Sequence, residues 1–244
     1  MRFEDKASAR DHVWGVLEDQ KLGAYPFPLR GRIPNFRGAR EAALRLFETP
    51  LLQQAQRIKV NPDSPQRFVR AEALRRGIQV YVPTPRLAGG FMLLDPAAIP
   101  HDAIWKASAR SNWDRYAAPV ALEALPEMDL IVTGCVAVTP AGKRAGKGAG
   151  YSDLEFAILR ELGHPSAAVV TTVHDVQVVG DFPIDSHDQP LSMIVTPTRT
   201  IGIDDLLPCP DGIEWSKLPP DALKAMPVLA SLQPLAGSSG GSDG

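Results

Sequence analysis

The chain has 244 residues, 44% of them hydrophobic and 22% charged, with 26 Lys and Arg against 28 Asp and Glu for a formal net charge of −2. That length and apolar content suit one α/β domain with a sizeable core, or two small ones, and the near-neutral balance argues against a dedicated nucleic-acid binder. Two cysteines, Cys135 and Cys209, exclude a disulfide framework and a four-thiolate metal site. An apolar run of roughly 18 residues, long enough to span a bilayer, is missing. The charged N-terminus is unlike a signal peptide. A soluble, cytoplasmic protein with no membrane or nucleic-acid partner is the expectation.

Residues 3–22 carry the spacing of a helix, with Val13, Trp14 and Leu17 on one face. Lys6 and Arg10 lie four apart, so they share a face and can address one anion. The proline- and glycine-rich stretch 23–38 reads as an ordered loop, with Phe36 and Arg37 placed to cover a pocket. A second helix over 38–47, a strand over 57–60 and a loop over 61–66 follow. Residues 68–76 are helical and stop at Gly77, and residues 78–82 form another strand. Strand, helix and strand at this spacing make a βαβ unit, so the sheet is at least partly parallel. Arg86, just past a strand end, is positioned for a ligand carboxylate or phosphate.

Residues 89–126 hold few local signals; a strand over 91–94 and a pocket role for Tyr116 are the readings taken there. The apolar run 130–138 reads as a strand, with Cys135 a buried thiol inside it. It leads into Arg144-Ala-Gly-Lys-Gly-Ala-Gly-Tyr-Ser-Asp153, where Gly146, Gly148 and Gly150 alternate, and a helix over 154–162 follows. Glycine lets a ligand approach backbone amides closely, and a helix N-terminus adds oriented N–H groups with partial positive charge. With Arg144 and Lys147 beside them, the anion favoured is a phosphate. The spacing is neither a Walker A loop nor a dinucleotide G-x-G-x-x-G. A buried-type strand over 167–173 precedes His174-Asp175, a pair read as structural or as acid–base or metal-binding. A loop over 183–188 and a strand over 191–195 come next. Residues 208–235 are proline-rich, with a helix near 221–225 and Trp215 pinning the segment to the body. The Gly/Ser tail, 236–244, is expected to be disordered.

The segment "MDLIVTGCVAVTPAGKRAGKGAGYSD" resembles the nucleotide-binding motif of the 5-formyltetrahydrofolate cyclo-ligase family: an apolar strand, alternating glycines, tyrosine and aspartate, then a helix. The segments "RIPNFRG", "KVNPDSPQ", "VPTPRL", "TTVHDVQVV" and "IVTPTRTI" are similar to one animal branch of that family. That branch carries an RNA-recognition domain which this sequence is expected to lack. The resemblance implies a three-layer α/β/α fold with a mostly parallel sheet over residues 1–235, in a monomer or homodimer. It also implies ATP and Mg²⁺ as cofactors, a small-molecule folate substrate and a place in one-carbon metabolism.

Site roles follow from the same resemblance. Lys6, Arg10, Arg144, Gly146, Lys147, Gly148, Ala149, Gly150, Tyr151 and Ser152 would bind ATP, with Arg144, Lys147 and Tyr151 in catalysis. Gln177 would join Arg86 and Tyr116 at the substrate, and Asp153 and Asp188 would hold Mg²⁺. Three positions depart from the family pattern: proline stands where the acidic loop would carry its pterin-binding glutamate, Ser152 replaces a tyrosine, and Leu154 replaces an arginine. Three readings therefore stand side by side. The first is cyclisation of 5-formyltetrahydrofolate to 5,10-methenyltetrahydrofolate. The second is a paralogue using the same ATP site on another substrate, such as a thiamin-related heterocycle. The third is a non-catalytic nucleotide- or folate-binding regulator. A carboxylate from the 61–66 loop aimed into an open pocket would favour the first, and a closed pocket the third.

Overall fold

The computed structural model describes residues 1–84, 87–165, 167–218 and 222–232; Arg86 and the expected disordered tail lie outside these. Helix α1 (Lys6–Asp19) starts at Asp5, whose carboxylate accepts from the Ser8 amide at 2.7 Å while Ser8 Oγ accepts from the Asp5 amide. This reciprocal cap satisfies two of the helix's orphan donors. Strands β1 (Gly23–Ala24) and β2 (Asn35–Phe36) then pair antiparallel and close the loop between them. Phe36 is buried against Ala39 and Ala42 rather than lying over a pocket.

Helices α2 (Ala39–Phe47) and α3 (Pro50–Gln54) lead to β3 (Arg57–Val60), α4 (Arg67–Arg75) and β4 (Gln79–Pro83). Next come β5 (Phe91–Leu94), α5 (Ile104–Ala107), α6 (Trp113–Tyr116) and β6 (Ala117–Val120). The rest comprises β7 (Leu130–Thr133), β8 (Ala137–Val138), β9 (Arg144–Ala145), α7 (Tyr151–Glu161), β10 (Ala168–Thr172), β11 (Met193–Val195), β12 (Thr200–Gly202) and α8 (Ala222–Ala225).

Eight strands form one sheet in the order β12-β11-β10-β7-β3-β4-β5-β6. The central pairings β11–β10, β10–β7, β7–β3 and β3–β4 are parallel, and the three pairings toward the edges are antiparallel. Alternation along each strand sorts side chains to two faces. Ile58, Val80, Leu130, Val132 and Val170 pack under α2 and α4, while Tyr81, Ile131, Val169 and Ile194 pack under α7 and the C-terminal segment. The result is helix, sheet and helix, as the resemblance implies.

The apolar run 130–138 is not one strand. Strand β7 ends at Thr133, and the chain leaves the sheet at Gly134, where an added Cβ would lie 2.9 Å from Asp63 Oδ2. Glycine lets the chain pass there without moving the side chains of Asp63, Gln66 and Ile33. Ala137–Val138 then pairs with Arg144–Ala145 in a separate hairpin. The poorly signalled region 89–126 supplies an antiparallel edge, β5 and β6, whose pairing depends on contacts along the sheet rather than on local pattern. No described helix is long and apolar enough to cross a membrane.

Candidate active site

In a parallel sheet, ligands bind outside the carboxyl ends of the strands, where neighbouring strands send their connections to opposite sides. Here that point lies between β3, which continues to β4 on one side, and β7, which continues to β10 on the other. A cleft of about 1030 Å³ opens there. Asn61, Pro62 and Asp63 from the end of β3, Thr84 from the end of β4, Arg144, and the run Gly146 to Asp153 line it.

The glycine loop forms one wall. Gly148 has φ +95°, and the Arg10 guanidinium carbon lies 3.6 Å from where a Gly148 side chain would begin. A side chain there would be strained by the backbone conformation, while the distance to Arg10 is ordinary contact. Gly150, at φ +70°, is the N-cap of α7, and no side chain caps that helix. The first-turn amides of α7 therefore face the cleft with the positive end of the helix dipole. Lys6, Arg10, Arg144, Lys147 and Arg110 line the same cleft, so five cations converge on it.

Two of those cations already hold carboxylates. The buried Arg144 guanidinium pairs with Asp153 Oδ1, which also accepts from the Gln189 amide at 3.0 Å. Burial is the largest single influence and opposes the charge on Arg144, yet the Asp153 carboxylate, Cys135 and Asp188 together raise the guanidinium pKa above its ordinary value. Lys6 Nζ bonds Asp188 Oδ2 at 2.5 Å and Asp185 Oδ2 at 2.9 Å. The 185–188 loop is braced by the Asp185 amide, which donates to Asp188 Oδ2 at 2.7 Å. Side-chain ligand atoms of Asp185, His187 and Asp188 lie within 4.8 Å of one another, a spacing that suits a cation. This donor set, mainly carboxylate oxygen beside a phosphate-type cradle, fits Mg²⁺.

The floor holds a polar network. Lys59 on β3 is fully buried, with Nζ bonded to Glu155 Oε2 on α7 and to Asn61 Oδ1 at 3.0 Å. Asn61 Nδ2 in turn donates to Ser152 Oγ at 2.9 Å and to Glu155 Oε2 at 3.2 Å. Burial raises the Glu155 carboxyl above its ordinary value, against the pull of Lys59. Asp63 is the carboxylate that the 61–66 loop contributes; burial raises its pKa as well, opposed by Lys147 and Arg70. Arg70 fixes the loop from beneath, donating to the carbonyls of Asn61 and Asp63.

Of the residues singled out from sequence, Lys6, Arg10, Arg144, Gly146, Lys147, Gly148, Ala149, Gly150, Tyr151, Ser152, Asp153 and Asp188 meet around this cleft. Gln177 stands apart. It is fully buried, and its amide is consumed by the carbonyls of Cys135 and Val136 at 3.0 Å each and by the His174 amide at 2.7 Å. It braces the chain between β7 and the glycine loop instead of facing a ligand. Tyr116 packs half-buried against the opposite core cluster, with the Arg115 guanidinium 5.3 Å from its ring centre. His174 caps the turn Asp175–Gln177, its Nδ1 accepting from Val176, and Asp175 accepts from Thr196 and Thr198; both residues serve loop architecture. Sequence reasoning passed over Lys59, Glu155, Arg110 and Asp185, and reached Asp63 only as the carboxylate of the 61–66 loop. A lysine at the third position of an apolar strand was the one local sign of the buried pair.

The model of the 5-formyltetrahydrofolate cyclo-ligase family matches residues 7–197. Methenyltetrahydrofolate synthase domain-containing protein from Mus musculus is 40% identical over 235 residues, covering 93% of this chain and 63% of its own length. The Homo sapiens protein of that name is 37% identical over 235 residues, covering 93% and 61%. The chain thus spans somewhat less than two thirds of these relatives. Among solved structures, the NMR structure of Aquifex aeolicus 5,10-methenyltetrahydrofolate synthetase superposes with a TM-score of 0.52 at 18% identity, covering 82% of this chain and 93% of that one. At that identity the likeness speaks for the fold alone. On the extent of the family match, the chain belongs to the 5-formyltetrahydrofolate cyclo-ligase family.

Proposed function

We propose that this chain is an ATP- and Mg²⁺-dependent cyclo-ligase that converts 5-formyltetrahydrofolate to 5,10-methenyltetrahydrofolate. The observation that carries the reading is the open cleft itself, where a cation-lined glycine loop faces a carboxylate, Asp63, from the 61–66 loop. In this reaction the formyl oxygen attacks the γ-phosphorus and ADP leaves. N10 then attacks the activated formyl carbon, and phosphate departs as the ring closes. Such chemistry asks for positioning and charge neutralisation more than for a covalent nucleophile.

Lys147, Arg10 and the α7 amides would hold the phosphates. Arg144 would act through Asp153, holding that carboxylate in place by their ion pair. Asp153 and Asp188 would hold Mg²⁺, which when bound supplies charge neutralisation at the phosphate oxygens. Lys6, now seated on Asp188 and Asp185, would follow the phosphates. Asp63, one position past the departing proline, would accept from the pterin amino edge.

The test is an absorbance assay of 5-formyltetrahydrofolate with ATP and Mg²⁺, following the methenyl product. Product formed at an enzyme-like rate and lost in Asp63→Asn supports the reading. If ATP binds and no product forms, the reading is wrong. A paralogue acting on another heterocycle is the second reading, favoured by the charged Lys59–Glu155 pair under Ser152. Screening thiamin-related compounds in the presence of ATP would then follow.

A further inference from the structure

The cleft does not end at the glycine loop. Ala149, Gly150, Tyr151, Asp153 and His187 also wall a second cavity of about 350 Å³. Its inner side is a stripe of α7, Leu154 and Ala157, three apart and so on one helix face. Its outer side is Ile213, Leu218, Ala222 and Met226, from a C-terminal strap that lies beyond the residues the family model matches.

The strap is tied at both ends of this annex. The Ile213 amide donates to Glu161 Oε2 at 3.0 Å, at the far end of α7. Ser186, inside the 185–188 loop, donates to Glu214 Oε1 at 2.7 Å and accepts from Lys217 Nζ at 2.7 Å. The annex is therefore a built compartment, continuous with the phosphate-type cradle through Ala149 to Tyr151.

Its chemistry selects the kind of group it can hold. Lys217, the ammonium in its lining, already bonds Glu214 and Ser186, and the walls at Leu154, Ala157, Ile213 and Met226 are apolar, so a phosphate or carboxylate seated between them would be desolvated at high cost. A flat ring with a polar edge fits: its faces meet Leu154, Ala157 and the soft thioether of Met226, and its edge reaches the rim. Glu214, at 31% side-chain exposure, keeps acceptor capacity there beyond its bonds to Ser186 and Lys217.

We propose that this annex takes the base of the nucleotide whose phosphates the glycine loop holds, which makes the C-terminal strap the base-binding element of the site. The inference rests on the nucleotide reading above, and its test separates the two. ATP and inorganic tripolyphosphate are titrated calorimetrically, with Mg²⁺, into wild type, Ala157→Phe and Met226→Glu. Ala157→Phe fills the annex from α7, and Met226→Glu charges the opposite wall.

The expected result is that ATP binding weakens by about tenfold or more, the order set by one lost apolar contact. Tripolyphosphate, which has no base, keeps its wild-type affinity. Should Ala157→Phe weaken both ligands equally by disturbing α7, Met226→Glu decides, since it touches the strap and not the loop. ATP affinity unchanged in Met226→Glu, or falling in step with tripolyphosphate, overturns the inference alone. Wild-type protein that binds neither ligand overturns the nucleotide reading, and the inference with it.

Discussion

Replacing Lys59 with methionine tests the buried network most directly. The side chains of Lys59 and Glu155 are 0% and 4% exposed, and their charges answer each other across β3 and α7. Lys59→Met would leave the Glu155 carboxylate buried with only Asn61 to bond it. Breaking one side of such a pair costs about 3–5 kcal/mol, about a fifth or more of a domain stability of about 5–15 kcal/mol. Glu155→Leu should cost a similar amount by stranding the ammonium. The double variant removes both charges, a change that is neutral to about 1–4 kcal/mol stabilising. Against that, Asn61 Oδ1 loses its donor, at about 1–3 kcal/mol. The double variant should therefore lie within about 3 kcal/mol of wild type, with a coupling energy of several kcal/mol. Urea unfolding followed by far-UV circular dichroism measures all four proteins. The dependence on pH has a definite sign. Burial already raises the Glu155 carboxyl above 4.5 while Lys59 opposes it. Without Lys59 the folded state takes up the proton more readily than the unfolded chain. Relative stability is then greatest below the unfolded value and is lost as pH rises. Single variants that each cost less than about 1 kcal/mol, or costs that simply add, would refute a buried charged pair.

Three other outcomes follow from the same geometry. Lys147→Ala removes a cleft cation without touching the core, so ATP affinity should fall by about 10- to 100-fold, from the loss of about 1.5–3 kcal/mol of charge-assisted bonding; unchanged binding by calorimetry would remove the glycine loop from the nucleotide. Asp153→Asn should weaken the Mg²⁺ dependence of ATP binding and also cost about 1.5–3 kcal/mol of stability, because Arg144 loses its ionised partner; a melting temperature equal to wild type would contradict the pairing. His174 is held below its ordinary value by burial, with Asp175 opposing, and its Nδ1 accepts from the Val176 amide at 3.2 Å. The unfolded chain takes up the proton first, so stability present above about pH 6.5 is lost as pH falls. His174→Gln should flatten the pH dependence of the urea midpoint between about pH 7.5 and 5.5, and an unchanged slope would show that the imidazole does not titrate with unfolding.

What could be read from the sequence was local chemistry. The alternating glycines ahead of a helix, the Lys6 and Arg10 spacing and the βαβ unit over 57–82 each depend on neighbours in the chain, and backbone geometry converts such spacing directly into shape. The split of the 130–138 run was not legible, because its second half, Ala137–Val138, leaves the sheet to pair with Arg144–Ala145 instead. Nor was the role of Gln177, whose amide is consumed by the carbonyls of Cys135 and Val136 from a segment 41 and 42 positions away. The cleft floor and the annex lay furthest from reach. Lys59 and Glu155 are 96 positions apart, and the Ile213 amide meets Glu161 across 52. A charge in an apolar strand has no meaning until its partner arrives, since the cost of burying it and the bond that offsets it come from different segments. The sequence alone determined that a cation-flanked glycine loop runs into a helix N-terminus. Tertiary structure decided what stands around it, because only packing of the sheet brings those distant side chains within bonding distance.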